Sequence, residues 1–424
     1  MRIGVNIVLI FIFGVAQLLH AENLPGTWWT NSPRIKSVQF KAGNEPISLP
    51  VISLNGKNNI LLSFDMLFAD ETEEENMPWL RAKIEHRDAE WKPENISESE
   101  YLDGFNIADI GYGEPSIGGI TTLYRHYETI IPPENITPKV SGNYLMHIYA
   151  DSNPDSIFLT VPFIVEEKSA AIRGKVNTNT DIDYRKNHQQ LEIEIEQTGM
   201  DTRVRPGDLK VFVTQNFDFD DRRNIGFPSS IIDKTSRYNH KRELLYPASN
   251  EYRRMEIIDN TTPMLNVDHI EWHAPFYHQI LRKDNPRSEG KYITEYNHNG
   301  RYTIREYNSE NSDLEADYVF VHFSLDGSEI PLNSTIHIEG DFTGRSIESN
   351  NKMSWDSQRN IYYKSLLLKQ GAYDYKYITP ESSKVSNVIE GDFYETPNIY
   401  NIYVYYRLPG ERYDRLASYG ELTL

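Results

Sequence analysis

Hydrophobic and polar residues alternate with a period of two over much of this chain. The clearest stretch runs from Thr335 to Ile378. Ile336 and Ile338 alternate with His337 and Glu339, and Gly340-Asp341 turns the chain. Ile361 to Leu368 is the next extended run, and Lys369-Gln370-Gly371 the next turn. Tyr373, Tyr375 and Tyr377 then share one face, with Asp374 and Lys376 on the other. Alternate side chains of a strand point to opposite faces of its sheet, and glycine supplies the positive φ of a tight reversal. The pattern predicts a half-buried antiparallel meander.

The same signal recurs along the chain. Strands are predicted at Ile35–Phe40, Ile60–Phe68, Trp79–Ile84, Tyr144–Tyr149 and Ile157–Val165, with Pro162 confining the last to an edge or bulge. Further runs are Leu191–Gln197, Leu209–Asn216, EYRRMEI, YVFVHFSLDG from Tyr318, and YNIYVYY at Tyr400–Tyr406. The NHNG at Asn297–Gly300 separates two alternating runs and reads as a hairpin turn. Between Trp91 and Gly119 lies a strand-poor segment, and connections of that length are uncommon without a use. The fold class expected is all-β, with tandem immunoglobulin-like and early-set β-sandwich domains. Three units are expected: an immunoglobulin-like sandwich over residues 22–167, a middle β-rich domain over 168–310, and an early-set-like sandwich over 311–424.

Composition adds the compartment. Arg2 precedes an apolar run from Ile7 to Leu19, and Ala21 suits the last position before cleavage. Residues 1–21 therefore read as a signal peptide rather than a membrane anchor. No later stretch reaches the ~20 apolar residues of a spanning helix. Removing residues 1–21 takes away Arg2 and no acid, so the formal charge of −19 becomes −20. That balance argues against nucleic acid, whose affinity rests on Lys and Arg. The chain has no cysteine, which excludes disulfides, thiol catalysis and cysteine-based zinc sites. The acidic run Asp70–Glu75 lacks the glycine-containing pattern of a calcium loop and reads as solvated.

Candidate chemistry is sparse. His269-Ile270-Glu271-Trp272-His273 is H-x-E-x-H, not the H-E-x-x-H that sets two histidines on one helical face. On a strand, His269, Glu271 and His273 share a face, and the reading adopted is a polar outer face without metal. G-x-S-x-G is absent, and no catalytic residue and no cofactor is expected. The tryptophans 28, 29, 79, 91, 272 and 355 are weighed as sugar platforms against core or domain-interface plugs, and the latter is preferred. The loop NFDFDDRRNIGFP from Asn216 to Pro228 combines aromatics with arginine, the composition of interface anchors. Phe217, Phe219, Arg222 and Arg223 are the candidate partner contacts.

Ten stretches carry a resemblance. They are RIKSVQFKAGNEPISLPVISLNGKNNILLSFDML, YLDGF, SGNYLMHIY, VFVTQNFDFDD, EYRRMEI, NGRYTIREYN, EGDFTG, LLLKQGAYDYKY, EGDFYETPN and YNIYVYYRLPGERYDRLASY. In order and spacing the chain resembles the plug-type proteins of the Bacteroidetes type IX secretion system. The resemblance implies a non-enzymatic periplasmic protein, at the inner side of the outer membrane. Its implied partner is the large outer-membrane translocon barrel, whose periplasmic opening it closes. The Thr335–Ile378 meander also resembles early-set glycogen-binding domains. Arg345 stands where those have their first stacking tryptophan, while Phe393 and Tyr394 occupy the neighbourhood of the second. A periplasmic carbohydrate-binding accessory is the alternative reading.

Overall fold

The computed structural model describes residues 26–43, 45–47, 49–56, 58–347, 350–380 and 388–424. The expected signal peptide, residues 1–21, lies outside the described residues. The architecture is all-β, built as three sandwiches in contact.

The first sandwich uses the predicted alternation directly. One sheet runs Glu45–Ile47, Ile35–Ala42, Ile60–Leu67, Tyr124–Ile131, Glu114–Pro115. The facing sheet runs Val51–Ser53, Asn153–Glu166, Gly142–Ala150, Leu80–Arg87, Ala108–Gly111. Leu62, Phe64 and Met66 are fully buried between the sheets with Ile84, Tyr144, Met146 and Ile148. Pro162 sits opposite Leu145. On its other side the strand pairs with Val51–Ser53 over Ile164–Glu166 and bridges Trp29 at Thr160, and neither contact calls on Pro162, so the missing N–H of the proline breaks no ladder. The Asp70–Glu75 run forms a short helix, Glu71–Glu75, capped by Asp70, whose carboxylate accepts from Glu73 N at 3.0 Å.

The second sandwich is closed by the end of the chain. Ala170–Asn177, His188–Gln197, Thr235–Tyr238 and Ser230–Ile232 form one sheet. The other orders Arg223–Asn224, Lys210–Gln215, Ile399–Tyr406 and Arg415–Thr423. Lys210 pairs with Tyr405 and Gln215 with Tyr400, so strands far apart in sequence are direct neighbours.

Between Leu245–Pro247 and Ile399–Tyr406 the chain leaves this sandwich and builds a third. Its five-stranded sheet orders Val267–His273, Phe276–Leu281, Tyr318–Asp326, Ile361–Lys369, Ser354–Asp356. Facing it, Gly371–Ile378 lies between Arg253–Glu256 and Tyr302–Ile304, with His337–Glu339 alongside. The three predicted strands form, but not as a meander: Ile361–Lys369 pairs with Tyr318–Asp326 and Ser354–Asp356 in one sheet, and at Gln370 the chain crosses to the facing sheet, where Gly371–Ile378 pairs with His337–Glu339. Tyr373, Tyr375 and Tyr377 are 1%, 0% and 0% exposed in the core between the sheets, because burying the tyrosine face needs a second sheet opposite it. Strand pairing thus runs across the boundary expected at residue 310: Arg253–Glu256 and Tyr302–Ile304 join the third sandwich, and Ile399–Tyr406 joins the second.

The expected hairpin fails as well. No strand precedes the NHNG turn. Tyr302–Ile304 pairs with Gly371–Ile378 instead, and the side chains before the turn are held by Glu251, which accepts from Asn297 Nδ2 at 2.6 Å and from the Tyr292 hydroxyl. A longer-range ladder outcompetes the local hairpin.

Candidate docking surface and the joints beneath it

The loop after Lys210–Gln215 turns inward. Asn216 and Phe217 both adopt positive φ, 50° and 63°. The Asn216 amide stabilises this bend: its Oδ1 accepts from Ile399 N at 2.8 Å and its Nδ2 donates to Asn398 Oδ1 at 2.7 Å. The turn drives Phe217 and Phe219, 2% and 5% exposed, into an apolar cluster with Leu49, Trp91 and Leu145 of the first sandwich. Phe219 meets Trp91 edge-on at 6.3 Å. Arg222 lies over the Phe212 ring at 4.2 Å and donates to Ala89 O at 2.7 Å. Arg223 lies over Tyr246 at 3.8 Å and pairs with Asp221 at 2.6 Å. Phe217, Phe219 and Arg222 therefore join the first and second sandwiches, and Arg223 braces the second. The four side chains expected to contact a partner are occupied within the chain. Aromatic and arginine residues suit any interface, and here the interface is internal. Of this loop, only Phe227 is a large exposed apolar side chain, at 79%.

Arg345 makes the second joint. The turn Asp341–Thr343 ends at Gly344, whose φ is 67°. A Cβ there would stand 2.5 Å from Trp28 O. Trp28 Nε1 donates to Asp341 O at 2.8 Å, and Thr27 N to Gly344 O at 2.8 Å. The start of the first sandwich is thereby fastened to the third. Arg345, 6% exposed, donates to Asn216 O at 2.7 Å and to the Tyr252 hydroxyl at 3.0 Å. It also binds Asn299 O, Asp341 and, at 3.3 Å, Glu339. Burial pushes the Asp341 carboxyl up despite the guanidinium beside it, while its carboxylate neighbours raise Arg345 against burial. The position expected from sequence to correspond to a sugar platform is here a buried cation joining the second and third sandwiches. Phe393 and Tyr394 lie on the return path, bonded through their N–H groups to Ser249 O and Lys186 O.

The outward surface is different. The strand-poor segment of the first sandwich is pinned by Asn106, whose Oδ1 accepts from Ile84 N and whose Nδ2 donates to Ile84 O, both at 2.8 Å. Its neighbours Phe105 and Ile107 are 86% and 51% exposed. The following strand, Ala108–Gly111, extends the sheet edge beside Leu80–Arg87. There Trp79 and Tyr112, 38% and 52% exposed, pack edge-on at 5.0 Å. Trp79 Nε1 and Arg81 Nε both donate to Asp109, at 3.1 and 2.9 Å. The result is an apolar edge on backbone hydrogen-bonded to Leu80–Arg87. The sequence marks the segment as unusual and Trp79 as a candidate platform or plug, but it does not single out Phe105, Ile107 or Tyr112. The available signal was two large apolar side chains flanking an asparagine in a loop.

His269, Glu271 and His273 share the outer face of Val267–His273 as expected. Their side chains are 50%, 43% and 64% exposed, and Glu271 divides its two oxygens between the imidazoles at 3.2 and 3.3 Å. Trp28 and Trp91 are buried at the joints, whereas Trp272 and Trp355 are partly exposed. Among the described residues no helix is long and apolar enough to cross a membrane.

The profile described as type 9 secretion system plug protein, first domain, matches residues 35–167, the first sandwich with its apolar edge. The crystal structure of a hypothetical protein from Parabacteroides merdae ATCC 43184 is 35% identical. It superposes with a TM-score of 0.87 over 95% of this chain and 100% of its own. Dimeric latent PorU from Porphyromonas gingivalis aligns over 92% of this chain and 34% of its own at 13% identity, and its TM-score of 0.16 carries no argument. No curated protein matches. With the sandwich order, the profile over the first domain and a relative similar along nearly the whole chain, the protein belongs to the type IX secretion system plug family.

Proposed function

We propose that this chain is a non-enzymatic plug that acts in the periplasm, docks on the outer-membrane translocon barrel of the type IX system and closes its periplasmic opening. The secretion-related role comes with family membership. The observation that carries the finer reading is the exposed apolar edge, Phe105, Ile107, Tyr112 and Trp79, on the domain that the plug profile matches. Closing an opening needs a body that does not yield. Buried joints at Arg345 and at the Phe217–Trp91 cluster brace the three sandwiches against one another. A stable seal needs a contact of at least ~1,000 Å² centred on desolvated aromatic anchors, and the edge supplies such anchors. The carbohydrate-binding alternative has no comparable support, because the position of its first platform is buried under Arg345 contacts.

The test is capture of the tagged mature chain from an envelope extract, with partners identified by mass. The expected result is co-recovery of a large outer-membrane barrel. Recovery of the intact chain without any such barrel refutes the proposal.

A further inference from the structure

The face of the first sandwich that meets the third is polar, and one imidazole on it has an unanswered nitrogen. His126 on Tyr124–Ile131 lies opposite Asp65 in register and is 8% exposed. Its Nδ1 donates to Asp65 Oδ1 at 2.7 Å. Asp65 is fully buried and is fixed in turn by Lys369 Nζ at 2.6 Å and the Tyr318 hydroxyl at 2.7 Å. This fixes the ring and directs Nε2 the other way. Among the described residues Nε2 has no hydrogen-bond partner. It stands 3.6 Å from Glu128 Oε1, two residues along the same strand face. Asp313, on the short helix Ser312–Glu315 of the third sandwich, completes the group. One ligand atom from each of the three lies within 4.8 Å of the others.

We propose that His126, Glu128 and Asp313 bind a divalent ion of the zinc class, which clasps the first sandwich to the third. Two ligands at ~2.0–2.1 Å from a tetrahedral ion stand about 3.3–3.4 Å apart. The Nε2 to Oε1 separation of 3.6 Å is too long for a hydrogen bond and close to that spacing. The second shell is already built. A ligating histidine ordinarily gives its other N–H to a carboxylate, which sets the tautomer and raises ligand basicity. Asp65 does this here, and it is buried and charge-balanced by Lys369 before any ion arrives. Lys41 donates to both oxygens of Asp313, at 3.2 and 3.4 Å. Mixed imidazole and carboxylate donors fit zinc and exclude a calcium cage of oxygens alone. The hydroxyl of Ser63, cross-strand from Glu128, is likewise buried without a partner among the described residues, which leaves a polar acceptor for a metal-bound water. With His126 neutral, the three carboxylates outnumber Lys41 and Lys369 by one, so the group attracts a cation. A proton on Nε2 is the competing occupant, since ligand nitrogens must be deprotonated to bind metal.

The experiment is calorimetric titration of the mature chain, stripped with chelator, with Zn²⁺ and with Ca²⁺. Hydrogen exchange is followed on Tyr124–Ile131 and Ser312–Glu315. One Zn²⁺ per chain is expected, with slower exchange in both segments and no comparable Ca²⁺ event. The partly exposed pair Glu128→Gln and Asp313→Asn should weaken Zn²⁺ binding at least ~10-fold without unfolding the chain. Glu271→Gln, on the separate histidine-bearing face, should leave it unchanged. His126→Gln should abolish binding, and circular dichroism checks its fold. Absence of Zn²⁺ binding at neutral pH overturns the proposal. So does a binding event that survives Glu128→Gln with Asp313→Asn, or one that Glu271→Gln removes, since either marks an adventitious surface ion only.

Discussion

Replacing Arg345 by methionine keeps much of the side-chain volume and removes the charge at the joint. It leaves Asp341 and Glu339 buried, at 8% and 6% exposure. Glu339 retains Lys376 at 3.7 Å, but Asp341 loses its paired guanidinium. The carbonyls of Asn216 and Asn299 lose their donor as well. Breaking a buried pair by removing one partner costs ~3–5 kcal/mol, and Arg301, whose charge also reaches Asp341, sets the loss toward the lower end of that range. The unfolding entropy is ~2.1 cal/mol/K per residue, so a unit of ~150 residues, the size of the third sandwich, would lose about 10–16 °C in Tm. If all ~400 residues melt together, the same loss is only about 4–6 °C. Differential scanning calorimetry therefore measures both the strength of the joint and the size of the cooperative unit. Arg345→Lys keeps the charge without the planar fork and should fall between wild type and Arg345→Met. A Tm within about 1 °C of wild type for Arg345→Met would refute the reasoning, since it would mean the buried carboxylates are satisfied without Arg345.

Other outcomes follow from the same contacts. Burial alone would raise the Glu390 carboxyl, but Arg253 and Arg287 outweigh it and hold it at about 2. Because this folded-state value is lowered, the stabilisation of roughly 3 kcal/mol is complete above the unfolded value near pH 4.5 and is lost as pH falls toward 2; urea midpoints across that window should decline, and Glu390→Gln should flatten the decline. Phe219→Ala empties a site packed on Trp91 and should cost ~3–5 kcal/mol, read as a lower urea midpoint; an unchanged midpoint would place Phe219 outside the joint. Phe105→Ser with Ile107→Ser should leave stability within about 0.5 kcal/mol yet weaken barrel capture by at least ~10-fold, and undiminished capture would move the docking surface elsewhere. With a formal charge of −19, association with a basic rim should slow between low and physiological salt, and salt-independent rates would remove charge steering.

Period-two alternation was enough to reveal the strands, because which face of a strand is apolar is written within a few residues. Ile60–Leu67, Gly142–Ala150 and the tyrosines of Gly371–Ile378 stand where the pattern put them. The face shared by His269, Glu271 and His273 was equally legible. What sequence could not supply is pairing between distant segments. Ile399–Tyr406 looks like the closing strand of whatever precedes it, yet its hydrogen bonds go to Lys210–Gln215, and nothing local to either strand records that choice. The same limit governed the candidate residues. The composition of the Asn216–Pro228 loop marked an interface, but only the positive φ of Asn216 and Phe217 turned it inward. Arg345 read as a missing sugar platform, and only the approach of Asn216, Tyr252 and Glu339 made it a joint. His126, Glu128 and Asp313 carry no local motif, since the third comes from another sandwich. Strand identity is a local property of side-chain periodicity, whereas joints and clasps are made of contacts between segments, and those exist only once the chain has folded.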